Sequence, residues 1–101
     1  MRRWKFVTSF TDGEHFEFAP GHNIWDYKWT PVLRDPPPAP TGDEWKDCIA
    51  KYEIATVTDP LYGSARQFRV YEIALDGRTI RFAASEFSNN VWGYYIPETD
   101  T

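Results

Sequence analysis

The residues best typed for chemistry in this chain are His15 and Glu17, with Glu14 beside them and His22 and Asp26 a few positions on. Alternate residues of a strand point the same way, so a His-x-Glu pair can act as base and orienter or offer two ligands to a metal. Two imidazoles and two carboxylates would suit zinc, yet the spacing is not that of a tight ligand motif. His15 and Glu17 therefore read as surface residues, and an enzyme or metal site on them is kept only as the second alternative. No Gly-x-Ser-x-Gly elbow, glycine-rich phosphate loop or His-Glu-x-x-His motif occurs. No catalytic residue, metal or cofactor is assigned. The polar cluster Ser85, Glu86, Asn89 and Asn90 is accounted for by turn chemistry.

The other chemistry on offer is aromatic. Trp25, Tyr27 and Trp29 alternate with Asp26 and Lys28 in a segment bounded by Pro20 and Pro31, where burial is least assured. Exposed, they would make a protein-binding hot spot or a platform that stacks on sugar rings. The competing reading is a lid folded over an open end of the sheet. Trp4, Trp45 and Trp92 fall on patterns that read as core. Arg34-Asp-Pro-Pro37-Pro-Ala-Pro40 has the spacing that SH3-type grooves recognise, but any proline-rich connection resembles it.

These residues must be held by strands. The chain has 101 residues, enough for one domain with one core, and 18% of them are aromatic. Leucines are few, so bulky aromatic and β-branched residues supply the core, and these favour pleated surfaces. The clearest element is Arg66 to Glu86, where two β-type runs meet at Asp76-Gly77. Both turn residues tolerate positive φ, which suits a two-residue hairpin. The implied register sets Leu75 against Arg78, Ile73 against Ile80, Tyr71 against Phe82 and Arg69 against Ala84. The opposite face pairs Glu72 with Arg81, an ion pair across the strands, along with Val70 and Ala83.

A second hairpin is expected at the amino end. A three-residue Thr11-Asp12-Gly13 loop would pair Thr8 with Phe16 and Phe6 with Phe18, gathering Trp4, Phe6, Phe10, Phe16 and Phe18 on one face. Residues 24–29 suggest a short strand, and 31–41 a proline-rich connection. Thr41 and Glu44 have capping-box spacing, and Trp45, Cys48, Ile49 and Tyr52 then recur on one helical face. A helix is expected near 42–51, then a strand to Thr58, a turn at 59–64, the strong hairpin, a turn at Ser88-Asn89-Asn90 and a last strand from Val91 to Ile96. The fold class is mainly β: a curled or barrel-like antiparallel sheet built from an N-terminal hairpin and a C-terminal meander, in one domain spanning 1–101.

The formal net charge is −4 and is dispersed. The one basic cluster, Arg2, Arg3 and Lys5, reads as a solvated terminus, so neither nucleic acid nor membrane is expected as a partner. Cys48 is the only cysteine, which excludes an internal disulfide and points to a reducing compartment, taken as cytoplasmic. The expected function is a small non-enzymatic protein-interaction module (an inhibitor, an immunity-type or an accessory protein) binding through Trp25, Tyr27 and Trp29. The alternative is a small-ligand or carbohydrate-binding β-domain. An exposed edge strand also allows a homodimer by sheet extension.

Overall fold

The computed structural model describes residues 3–59 and 62–98. Within them the chain runs β1 (Trp4–Thr11), β2 (Glu17–Ala19), β3 (His22–Asn23), a 3-10 turn (Ile24–Asp26), β4 (Thr30–Pro31), α1 (Glu44–Ala50), β5 (Ile54–Thr58), β6 (Ala65–Leu75), β7 (Arg78–Ser88) and β8 (Val91–Pro97). Pro60 and Leu61, in the turn expected at 59–64, lie outside the described residues, as does Arg2 of the basic cluster.

The β6–β7 hairpin has the register that Asp76-Gly77 implies, from Leu75 against Arg78 to Arg69 against Ala84. Asp76 and Gly77 have φ of 50° and 78°, the doubly left-handed turn whose twist matches that of the flanking strands. Asn90, at φ 60°, closes the turn from β7 into β8. The main sheet is antiparallel in the order β1-β8-β7-β6, and the outer edge of β6 is shared by β5 along residues 65–69 and by β4 at residues 71–72.

The N-terminal hairpin expected from the aromatic pattern does not form. The Thr11-Asp12-Gly13 turn is present, with Gly13 at φ 79° and the Glu14 amide donating to the Thr11 carbonyl at 2.8 Å. Yet β1 pairs with β8, at the far end of the chain, and β2 pairs only with β3. The physical reason is length. Pro20 and Gly21 stop β2 after three residues, whereas β8 offers seven and pairs aromatic with aromatic at Phe6–Tyr95 and Phe10–Trp92.

Trp4, Phe6 and Phe10 do not share a face either. The β1–β8 register steps from Phe6 opposite Tyr95 to Thr8 opposite Tyr94, so Val7 is a bulge. One extra residue reverses the facing of everything beyond it. Trp4 and Phe6 thus join a cluster of Ala55, Val57, Phe68, Val70, Ala83 and Tyr95, while Phe10 joins Ile24, Ile73, Phe82, Ala84 and Tyr94 on the opposite side. The sheet is buried on both faces. Its curl brings β1 close to β5 around the first of these clusters, where the Tyr95 hydroxyl donates to the Thr58 carbonyl at 2.8 Å. No ladder joins β1 and β5, so the sheet is curled but not a closed barrel.

The second cluster is roofed by the segment between β1 and β4. Phe16 stacks on Phe10 at 4.9 Å, and Phe18, Trp25, Tyr27 and Trp29 pack around it. Burial here raises the Tyr94 phenol from 10.0 to about 12. Its unfolded form loses a proton where its folded form does not, so the stability tied to this phenol is intact below pH 10 and is lost as pH rises towards 12. Urea midpoints measured across that range should fall in the native chain and fall less in Tyr94→Phe. Equal slopes would show that Tyr94 does not carry the alkaline sensitivity.

Candidate functional site

The residues from Leu33 to Lys46 are all exposed. They form an arm that leaves the sheet after β4 and returns at β5. Its neck is closed by a bridge between Leu33 and Tyr52 and by the Arg34 amide donating to the Lys51 carbonyl at 2.8 Å. Arg34 Nε also donates to the Tyr52 carbonyl at 3.1 Å. Prolines at 36, 37, 38 and 40 keep the outgoing strand of the arm from joining any ladder.

At the tip lies α1. Its cap is Asp43, not the Thr41 of the expected capping box: the Asp43 carboxylate accepts from the amides of Trp45 and Lys46 at 3.0 and 3.2 Å. Thr41 instead donates through its amide and hydroxyl to Asp47 Oδ1 at 2.8 and 2.7 Å, and Gly42 N donates to Oδ2. These bonds hold the Asp47 carboxyl below its ordinary value, with the Thr41 amide the largest cause. A two-turn helix is thereby secured at its amino end without a hydrophobic core beneath it.

The face of α1 is the main correction to the sequence reading. The spacing of Trp45, Cys48, Ile49 and Tyr52 predicts a core-facing stripe, but α1 buries no residue. Trp45 is 74% exposed and Ile49 41%, and Cys48 is exposed as well. The half-buried positions are Asp47 and Ala50, on the other side. The apolar stripe faces outward.

The predicted binding trio sits otherwise. Residues 24–29 form a 3-10 turn and then an extended run, not the expected short strand, because the Ile24 amide is tied to the Phe16 carbonyl at 2.7 Å. The Trp29 indole N–H donates back to the Ile24 carbonyl at 3.0 Å. This brings Trp25 and Trp29 to 5.2 Å, and sets Trp29 edge-on to Tyr71, Phe82 and Trp92. Tyr27 lies edge-on to Phe18 and hydrogen-bonds His22. All three are half-buried against the core, in the manner of a lid. The indole nitrogens of Trp25 and Trp92 are buried and meet no hydrogen-bond acceptor among the described residues.

His15 and Glu17 do come together, at 3.1 Å, with both side chains largely in solvent. The His15 hydrogen bond, then the Gly21 amide, lowers the Glu17 carboxyl. His22 turns away to Tyr27, and no group of three His, Cys, Asp or Glu among the described residues is placed to hold a metal. Glu72 and Arg81 pair as their register implies, with Arg81 Nη2 at 2.7 Å and Nε at 3.2 Å from one Glu72 oxygen. Arg81 also lies 3.8 Å from Glu53, whose backbone links Val32 to Val70, so this charge cluster braces the arm's neck.

Comparison of the chain with family models, with curated proteins and with solved structures found no significant match to any of them.

Proposed function

We propose that this protein is a small non-enzymatic interaction module that docks a protein partner through the outward stripe of α1. One observation carries the reading: of five tryptophans, four pack into the aromatic clusters, and the fifth, Trp45, stands 74% exposed on a capped helix at the tip of an arm. Exposed aliphatic and aromatic surface is unfavourable in water at about 25 cal/mol per Å². An amphipathic helix whose apolar side faces solvent is suited to insertion in a groove, with anchors at i, i+3 and i+4. Leu33, bridged to Tyr52 at the neck, is exposed as well, at 59%. The Trp25–Tyr27–Trp29 lid lends less support to the ligand-binding alternative, because the Trp25 indole donor is sealed from solvent and that of Trp29 is taken up by the Ile24 carbonyl.

We place the module in a reducing compartment, in keeping with an exposed free thiol on the docking stripe. No helix among the described residues is long and apolar enough to cross a membrane.

Trp45→Ala should leave the thermal midpoint unchanged and abolish partner capture, whereas Trp25→Ala should lower the midpoint. Acrylamide should quench the native emission strongly and that of Trp45→Phe weakly. Partner capture that survives Trp45→Ala and fails in Trp25→Ala, at matched folded fraction, would move the docking surface back to the lid.

A further inference from the structure

We propose that the α1 stripe pairs with the same stripe of a second copy of this chain, the two helices packing antiparallel about a two-fold axis. The proposal rests on the reading of α1 as the docking element and names its occupant.

Self-complementary charge is the first argument. Glu44 opens the helix and Lys51 closes it, seven residues and about two turns apart, so both lie on the same flank of the Trp45–Cys48–Ile49 stripe. A two-fold axis perpendicular to paired helices lays each flank against the same flank of the copy, run in reverse. Glu44 then meets Lys51 of the second copy at both ends of the contact. Antiparallel packing also opposes the two helix dipoles favourably.

Accessibility and preorganisation are the second argument. The arm holds α1 clear of the sheet, and the Asp43 and Asp47 hydrogen bonds lie on its amino-terminal loop, away from the stripe. Those bonds fix the helix before any partner arrives, which removes most of the ordering cost of association. A two-turn stripe falls short of the ~800 Å² per partner of a standard stable interface. The dimer is therefore reversible and dependent on concentration. Cys48, in the middle of the stripe, comes close to its counterpart across the axis.

Sedimentation equilibrium from low-micromolar to near-millimolar protein, with a short bismaleimide cross-linker acting on Cys48, tests this. A concentration-dependent dimer that cross-links at Cys48 is expected, and Trp45→Ala should raise its dissociation constant by about thirtyfold, the effect of a central aromatic anchor. Glu44→Lys and Lys51→Glu should each weaken the dimer alone and associate with one another when mixed, since mixing restores opposite charges at both ends. Circular dichroism checks that each variant keeps the fold. A monomer throughout the range overturns the proposal. So does a dimer that persists in Trp45→Ala without cross-linking, which would be pairing at a sheet edge. Capture of a different protein by a strictly monomeric chain, lost in Trp45→Ala, would overturn self-association while leaving the docking role of α1 in place.

Discussion

Phe82→Ala should lower the unfolding free energy by about 3–5 kcal/mol, the cost of removing a fully buried aromatic ring. Phe82 has no exposed surface. Its ring lies 5.2 Å from Tyr94, 5.3 Å from Trp29 and 5.9 Å from Tyr71. It is the point at which the sheet meets the lid, so the cavity left behind borders three rings that are themselves held by other rings and cannot readily collapse into it. A domain near 100 residues loses roughly 4–8 °C per kcal/mol, so the melting midpoint should fall by roughly 12 °C or more. Phe82→Leu, which fills more of the space, should lose less. Urea denaturation with an unchanged slope would measure the difference directly. A loss below about 1 kcal/mol would mean that the lid is not seated on Phe82, because only a site free to close over the void loses so little.

The sequence reveals this core where it is local and hides it where it is not. Tyr71 opposite Phe82 follows from Asp76-Gly77 alone, because a two-residue turn leaves one register and one set of faces. The closure of β1 on β8 joins residues some ninety positions apart, and no local signal distinguishes it from closure on Phe16 and Phe18. The Val7 bulge is equally silent: the alternation of Trp4, Phe6, Thr8 and Phe10 is regular, and only the partner strand introduces the step at Val7. The two buried faces of β6 and β7 were half legible. Val70 and Ala83 are apolar, but nothing in the chain says what covers them. The candidate site was the least legible part. Helical spacing makes Trp45 look like core because periodicity reports which residues share a face and not where that face points. The usable hint was context: prolines at 36, 37, 38 and 40 and Gly42 hold a helix of two turns away from any strand that could cover it. For Trp25, Tyr27 and Trp29 the flanking prolines allow either an exposed platform or a lid, and the Trp29-to-Ile24 hydrogen bond folds them onto the sheet as a lid.

Arg66→Met should cost about 1–3 kcal/mol, because it takes the partner from a buried carboxylate although Arg66 itself is 37% exposed. The Asp59 side chain is 1% exposed, and Arg66 Nε lies 2.9 Å from its Oδ2, while the Tyr62 amide donates to Oδ1 at 3.2 Å. Met keeps the apolar stem of Arg66 and deletes the guanidinium, so the loss isolates charge from packing. The carboxylate stands beside the Tyr95 phenol, which burial first and Asp59 second push upward while Arg66 pulls it down. Removing Arg66 should therefore raise the Tyr95 phenol further, an effect that ultraviolet titration reads independently of stability. Asp59→Asn should cost less than Arg66→Met, because it leaves no buried charge and an amide oxygen can still accept from Tyr62. The double variant should then be more stable than the sum of the two singles implies, with a coupling of roughly 1 kcal/mol or more. Additive singles, each below about 1 kcal/mol, would show a solvent-screened pair of the kind that contributes little. The turn between β5 and β6 would then be held by its backbone bonds, Asp59 N to Ser64 O and Gly63 N to Asp59 O, rather than by charge.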